Sequence, residues 1–135
     1  MNLFVVISSI FLVVNAHFIN LKGTITCTLW KPWCFSMKVF ETNLVFPDHQ
    51  IFQSDRFCLP HIGSLVVNTN SELGYDGFLD ERFELSARIL HTCTSGKDPL
   101  EFTEPIGQYR MEGREYVAPS FSATPNGADV PGTDP

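Results

Sequence analysis

Two stretches of this chain alternate apolar and polar residues with period two, and each carries a cysteine on its apolar face. In LKGTITCTL (21–29), Leu21, Gly23, Ile25, Cys27 and Leu29 alternate with Lys22, Thr24, Thr26 and Thr28. In FELSARILHTC (83–93), Phe83, Leu85, Ala87, Ile89, His91 and Cys93 share one face. Glu84, Ser86, Arg88 and Thr92 take the other, with Leu90 out of step. Period two marks a strand with one buried face. Both segments therefore predict half-buried strands, and both cysteines point inward.

Weaker strand signals fill the rest. Phe35–Glu41 reads as a strand forming a hairpin with 21–29, with Trp30, Lys31, Pro32 and Trp33 in the turn. Pro32 has no N–H and leaves the ladder there. Ile51–Phe57 is a weaker strand, and Ser64–Asn68 a short one. Phe102–Tyr109 and Glu115–Val117 supply closing strands, with Pro105 and Gly107 marking an edge. Thr42–Gln50 and Asn68–Glu81 are rich in turn residues and read as loops. Helical periodicity is weak, and one short helix is admitted within Glu72–Leu85. The pattern predicts an all-β fold, an antiparallel sandwich of about seven short strands.

The ends differ from the middle. Leu3 to Val14 is a run of 12 residues interrupted only by Ser8 and Ser9. That suits the apolar region of a signal peptide and falls short of the ~20 residues a bilayer span needs. Val14, Asn15 and Ala16 place cleavage after Ala16, so residues 1–16 read as a signal peptide. A buried segment of the domain and a retained anchor are the alternatives. No later run is long and apolar enough to cross a membrane. Residues 17–117 then form one domain, since the length suits a single core. Residues 118–135 are rich in Pro, Gly, Ser, Thr and Asp, with Phe121 the one aromatic. They read as a mobile tail, with a docked extension as the alternative.

The formal net charge is −6, and the nine Lys and Arg are scattered. This argues against nucleic acid or an anionic membrane surface as partner. The four cysteines are Cys27, Cys34, Cys58 and Cys93. Their wide spacing fits neither zinc nor a C-x-x-C redox site. In an oxidising compartment they predict two disulfides. Strand parity favours Cys27–Cys93 with Cys34–Cys58. The rival, Cys27–Cys34 closing the tryptophan loop, stays open.

Candidate chemistry is sparse. None of His17, His49, His61 and His91 forms an i,i+4 pair or an HExxH motif. His91 reads as a hydrogen-bonded core histidine rather than a metal ligand. Asp76, Asp80 and Glu81 are too few oxygen donors for calcium and read as a solvated loop. No Gly-x-Ser-x-Gly elbow occurs. No catalytic residue, metal or cofactor is assigned. Trp30, Lys31 and Trp33 are the candidate binding residues, because exposed tryptophans serve as interface anchors. The competing reading folds one or both back over the end of the sandwich.

The segments GTITC (23–27), KPWCF (31–35), MKVFE (37–41), DGF (76–78) and ILHTCT (89–94) occur in that order. Together they resemble the nematode transthyretin-like family of small secreted proteins. There, a first strand ending in Cys precedes a V-x-[VLF]-x-[ED] strand, and a Gly-Phe precedes a strand ending His-x-Cys. The resemblance covers about Leu21 to Thr94. It implies a transthyretin-type β-sandwich and export from the cell. Members often carry another Cys soon after His-x-Cys. Residues 95–104 here hold none, which supports a distant partner for Cys93.

The sequence thus predicts a secreted, non-catalytic extracellular module that binds a protein, lipid or small hydrophobic ligand. Hydroxyisourate hydrolases are enzymatic relatives on that fold and use a C-terminal Tyr-Arg-Gly-Ser. Here Tyr109 and Arg110 are followed by Met111 and Glu112. A hydrolase is therefore one alternative, and an abundant structural extracellular component is another.

Overall fold

The computed structural model describes residues 17–42, 47–73, 82–110, 114–124 and 126–135. They hold ten strands and no helix. In chain order these are β1 (His17–Cys27), β2 (Trp33–Thr42), β3 (His49–Gln53), β4 (Phe57–Leu59) and β5 (Gly63–Leu73). There follow β6 (Arg82–His91), β7 (Leu100–Arg110), β8 (Arg114–Val117), β9 (Ser120–Ser122) and β10 (Ala128–Asp129). One sheet runs β5-β1-β8, with β9 also on β1. The other runs β10-β7-β6-β2-β3, with β4 also on β2. The all-β sandwich expected from the alternation is the fold observed. Residues 1–16, expected to be a signal peptide, lie outside the described residues.

The inner faces meet as their period predicts. Leu21, Ile25, Val67 and Phe121 of the first sheet pack in one core with Phe35, Met37, Val39, Ala87 and Ile89 of the second. Each large apolar side chain so enclosed contributes about 1.5–3 kcal/mol. Antiparallel pairing dominates, but β8 and β9 both run parallel to β1.

The expected hairpin is not formed, because β1 and β2 lie in different sheets. Both edges of β1 are already taken. One side pairs with β5 along its whole length. The other meets β8 and β9, and between them the Thr24 N–H donates to the Pro119 carbonyl at 2.9 Å. β2 is likewise filled, by β6 on one side and by β3 and β4 on the other. Residues 28–32 therefore arch from one sheet to the other.

The expected mobile tail is also corrected. Phe121 is 4% exposed and Ala123 fully buried, and Ser120–Ser122 pair with Thr24–Thr26. Burying one phenyl ring and adding a ladder to β1 offsets the ordering of a few residues. The boundary expected after residue 117 is therefore not where the packing ends.

Other differences are local. The expected strand 51–57 divides into β3 and β4 at Ser54, which is buried. The Ser54 N–H donates to the Met37 carbonyl, and its Oγ accepts from the Met37 N–H, both at 2.8 Å. One residue thus completes the β2 ladder where pairing changes hands. In β7, Leu85 faces Gly107 and Ser86 faces Pro105, leaving Ile106 as an extra residue. β10 borders β7 only at Leu100 and Glu101, so Pro105 stands where β7 has no outer neighbour among the described residues. Of the span that admitted a helix, 72–73 belong to β5 and 82–85 to β6. Residues 74–81 lie outside the described residues.

Candidate functional site: the arch between the sheets

The arch is fixed at both ends. Cys27, the last residue of β1, is bonded to Cys93 just beyond β6, with Cα atoms 6.0 Å apart. This disulfide joins the two sheets through the core, and both of its cysteines are fully buried. Cys34, near the start of β2, is bonded to Cys58, its register partner on β4. These are the pairs that strand parity favours. At the arch itself, the Thr28 N–H donates to Thr124 Oγ1 at 2.7 Å, and the Lys31 N–H to the Leu29 carbonyl at 2.9 Å.

The two tryptophans part company across Pro32. Trp33 opens β2 in phase with Phe35, Met37 and Val39, and it is 1% exposed. Its ring stacks on Phe35 with centroids 5.5 Å apart, and Phe57 extends the cluster beyond Phe35. Its indole N–H donates to the His61 carbonyl at 3.1 Å, so its polar handle is satisfied. Lys31 turns inward as well, and its ammonium donates to the Thr94 carbonyl at 2.5 Å. Trp30 is 85% exposed. Of the three candidate binding residues, Trp30 is the most exposed, Lys31 is half-buried and Trp33 is buried. The phase of Trp33 with the inner face of β2 was the signal that separates the two.

Behind the arch lies His91, fully buried. Its Nδ1 accepts the Cys93 N–H at 3.1 Å, and its Nε2 lies 2.7 Å from the Asn126 carbonyl. The first contact requires a bare Nδ1, so the proton sits on Nε2 and is donated to Asn126. Burial holds the ring's pKa below the usual histidine value, and the Asn126 hydrogen bond opposes that shift. With both nitrogens engaged, His91 is a core histidine of the kind expected. Among the described residues, no group of three or more His, Cys, Asp and Glu is placed to hold a metal ion. Asp76, Asp80 and Glu81 lie outside the described residues.

A concavity away from the arch was missed from the sequence. On the outer face of the β2–β6 sheet, Lys38, Arg56 and Arg88 border a groove of about 360 Å³. The outward parity of Lys38 and Arg88 was legible. Their register across two strands was not.

No curated protein and no solved structure matches this chain. Residues 22–132 match the family described as Caenorhabditis elegans protein of unknown function (DUF870). That match spans most of the chain, and the chain belongs to this family.

Proposed function

We propose that this chain is a secreted, non-catalytic binding module of transthyretin-like type, and that Trp30 is its contact residue for an extracellular ligand. The arch carries the proposal. One large aromatic side chain is held in solvent between two disulfides, three residues from a tryptophan that is buried. Exposure of Trp30 forgoes the hydrophobic gain that burial would give, and a partner supplies that gain on contact. A braced loop also loses little further entropy when it binds.

Other features support the reading. Two disulfides in a domain of this size suit an oxidising compartment. The apolar run at 3–14 points the same way. The two-sheet sandwich, with His91 and Cys93 at the end of a core strand, agrees with the resemblance noted from the sequence. A hydrolase on this fold needs His and Arg gathered on one face. Here His49 and His61 are exposed at separate places, and His91 is buried with both nitrogens engaged.

Secretion is tested by expression in a eukaryotic host and intact mass of the protein in the medium. A chain starting at His17 with both disulfides closed is expected; free thiols on an intracellular chain would defeat the reading. The role of Trp30 is tested by passing nematode extracellular fluid over the immobilised oxidised protein and its Trp30→Ala variant. A stoichiometric partner retained by the first and lost by the second is expected. Equal retention by both removes Trp30 from the interface.

A further inference from the structure

The outer face of the β2–β6 sheet carries charge that the fold itself does not need. Lys38 and Arg88 are direct register partners, so two cations stand opposite each other across one strand pair. That juxtaposition is destabilising. The Arg88 guanidinium carbon lies 4.7 Å from the Phe40 ring centroid, which holds its head over the sheet. Arg56 comes to the same place from the β3–β4 connection, two residues before the Cys58 that is bonded to β2. Between them lie Ser36 and Leu90, a register pair. Asp55 and Glu101 also border the groove. With Asp134 set aside, three cations face these two carboxylates; Asp134 brings the side-chain charges into balance.

The chain's last residues complete the lining. From β10 the backbone is secured once more, where the Val130 N–H donates to the Pro99 carbonyl at 2.9 Å. Thr133 Oγ1 then donates to the Val130 carbonyl at 2.7 Å, within the segment itself. Beyond that, the one polar tie to the rest of the protein among the described residues joins Arg56 Nη2 to Asp134 Oδ1 at 3.3 Å. Both partners are well exposed, at 50% and 71%, so this tie is weak.

We propose that this groove is a recognition site for an acidic segment of a partner protein, and that Asp134 occupies it in cis until the partner displaces it. Arginine matches carboxylate in charge and in the geometry of its donors, and Arg clusters are a recurrent means of reading acidic motifs. The resident segment shows what fits: an aspartate between Thr133 and Pro135, presented by a turn at 131–132 that the Thr133–Val130 bond closes. The site is separate from the arch and does not depend on Trp30.

The test uses the full-length oxidised protein and a fluorescent peptide of residues 128–135, ADVPGTDP, read by anisotropy. Asp134→Asn releases Arg56 and is expected to bind the peptide up to about five-fold more tightly than the parent, the most that an exposed ion pair is worth. Adding Arg56→Ala or Arg88→Ala is expected to weaken binding up to about five-fold each, the most that an exposed ion pair is worth. Adding Trp30→Ala leaves binding unchanged, and rising salt weakens it. Four results would overturn the proposal. They are no binding by Asp134→Asn at millimolar peptide, equal binding after both arginines are replaced, equal binding of a peptide with both aspartates changed to asparagine, and displacement by inorganic phosphate as effective as by unlabelled peptide. The last would mark a site for free anions only. Thermal unfolding of each variant confirms that these surface changes leave the fold intact.

Discussion

Trp30 and Trp33 are the same side chain in opposite surroundings, which makes them separable in solution. A polar quencher is expected to remove the emission of Trp30 and spare that of Trp33, so the Trp30→Phe variant emits to the blue and resists quenching. Trp33→Ala should lower stability by about 3–5 kcal/mol, as loss of a buried aromatic does. Trp30→Ala should stay within about 0.5 kcal/mol of the parent. Urea unfolding distinguishes the two. His91 gives a second residue-scale expectation. Its folded pKa lies below the unfolded value of about 6.5, so the unfolded chain takes up the proton first. The stabilisation is fully present above that value and is lost as pH falls through the folded pKa. Urea midpoints should therefore drop on acidification below about pH 6.5, and the part due to this ring should vanish in His91→Gln.

At the scale of elements, the docked C-terminal segment leads to two predictions. Phe121→Ala removes the ring that seats β9 against Ile25 and should cost about 3–5 kcal/mol in urea unfolding. A mobile tail would make the same substitution silent. Gly127 has φ +113°, and a Cβ there would lie 2.6 Å from the Glu101 carbonyl oxygen. Gly127→Ala should therefore free β10 from β7 at a cost of about 1–3 kcal/mol. Hydrogen exchange would show the Val130 amide losing protection while β6 keeps its own. These elements also show what was legible. The inner faces of β1, β2 and β6 could be read directly, because alternation is a local property of the chain. The neighbours of β1 could not, because its far edge is occupied by residues almost a hundred positions later. Phe121 was visible as an isolated aromatic, but the place it fills is made by two other parts of the chain. The same limit hid the groove, since nothing local to Lys38 announces that Arg88 lies opposite.

At the scale of the molecule, the two disulfides do unequal work. Cys27–Cys93 spans 66 residues and joins the sheets, whereas Cys34–Cys58 spans 24 within one sheet. On the loop-entropy account, replacing the first pair by alanine should cost about 4 kcal/mol and the second about 3.5 kcal/mol. Paired-variant unfolding under identical buffer checks the ranking, and a larger loss from the shorter loop would contradict it. The arch has a further consequence, in the order of events during synthesis. β1 is the earliest of the described strands to be made, yet it does not pair with the strand that follows it. Ile25 waits first for Leu65 and then for Phe121. Cys34 can meet Cys58 early, but Cys27 must wait for Cys93. The strand that comes first in the chain is thus among the last to be enclosed in time. Whatever escorts the growing polypeptide must keep its eleven residues from the wrong edge until the C-terminal segment arrives.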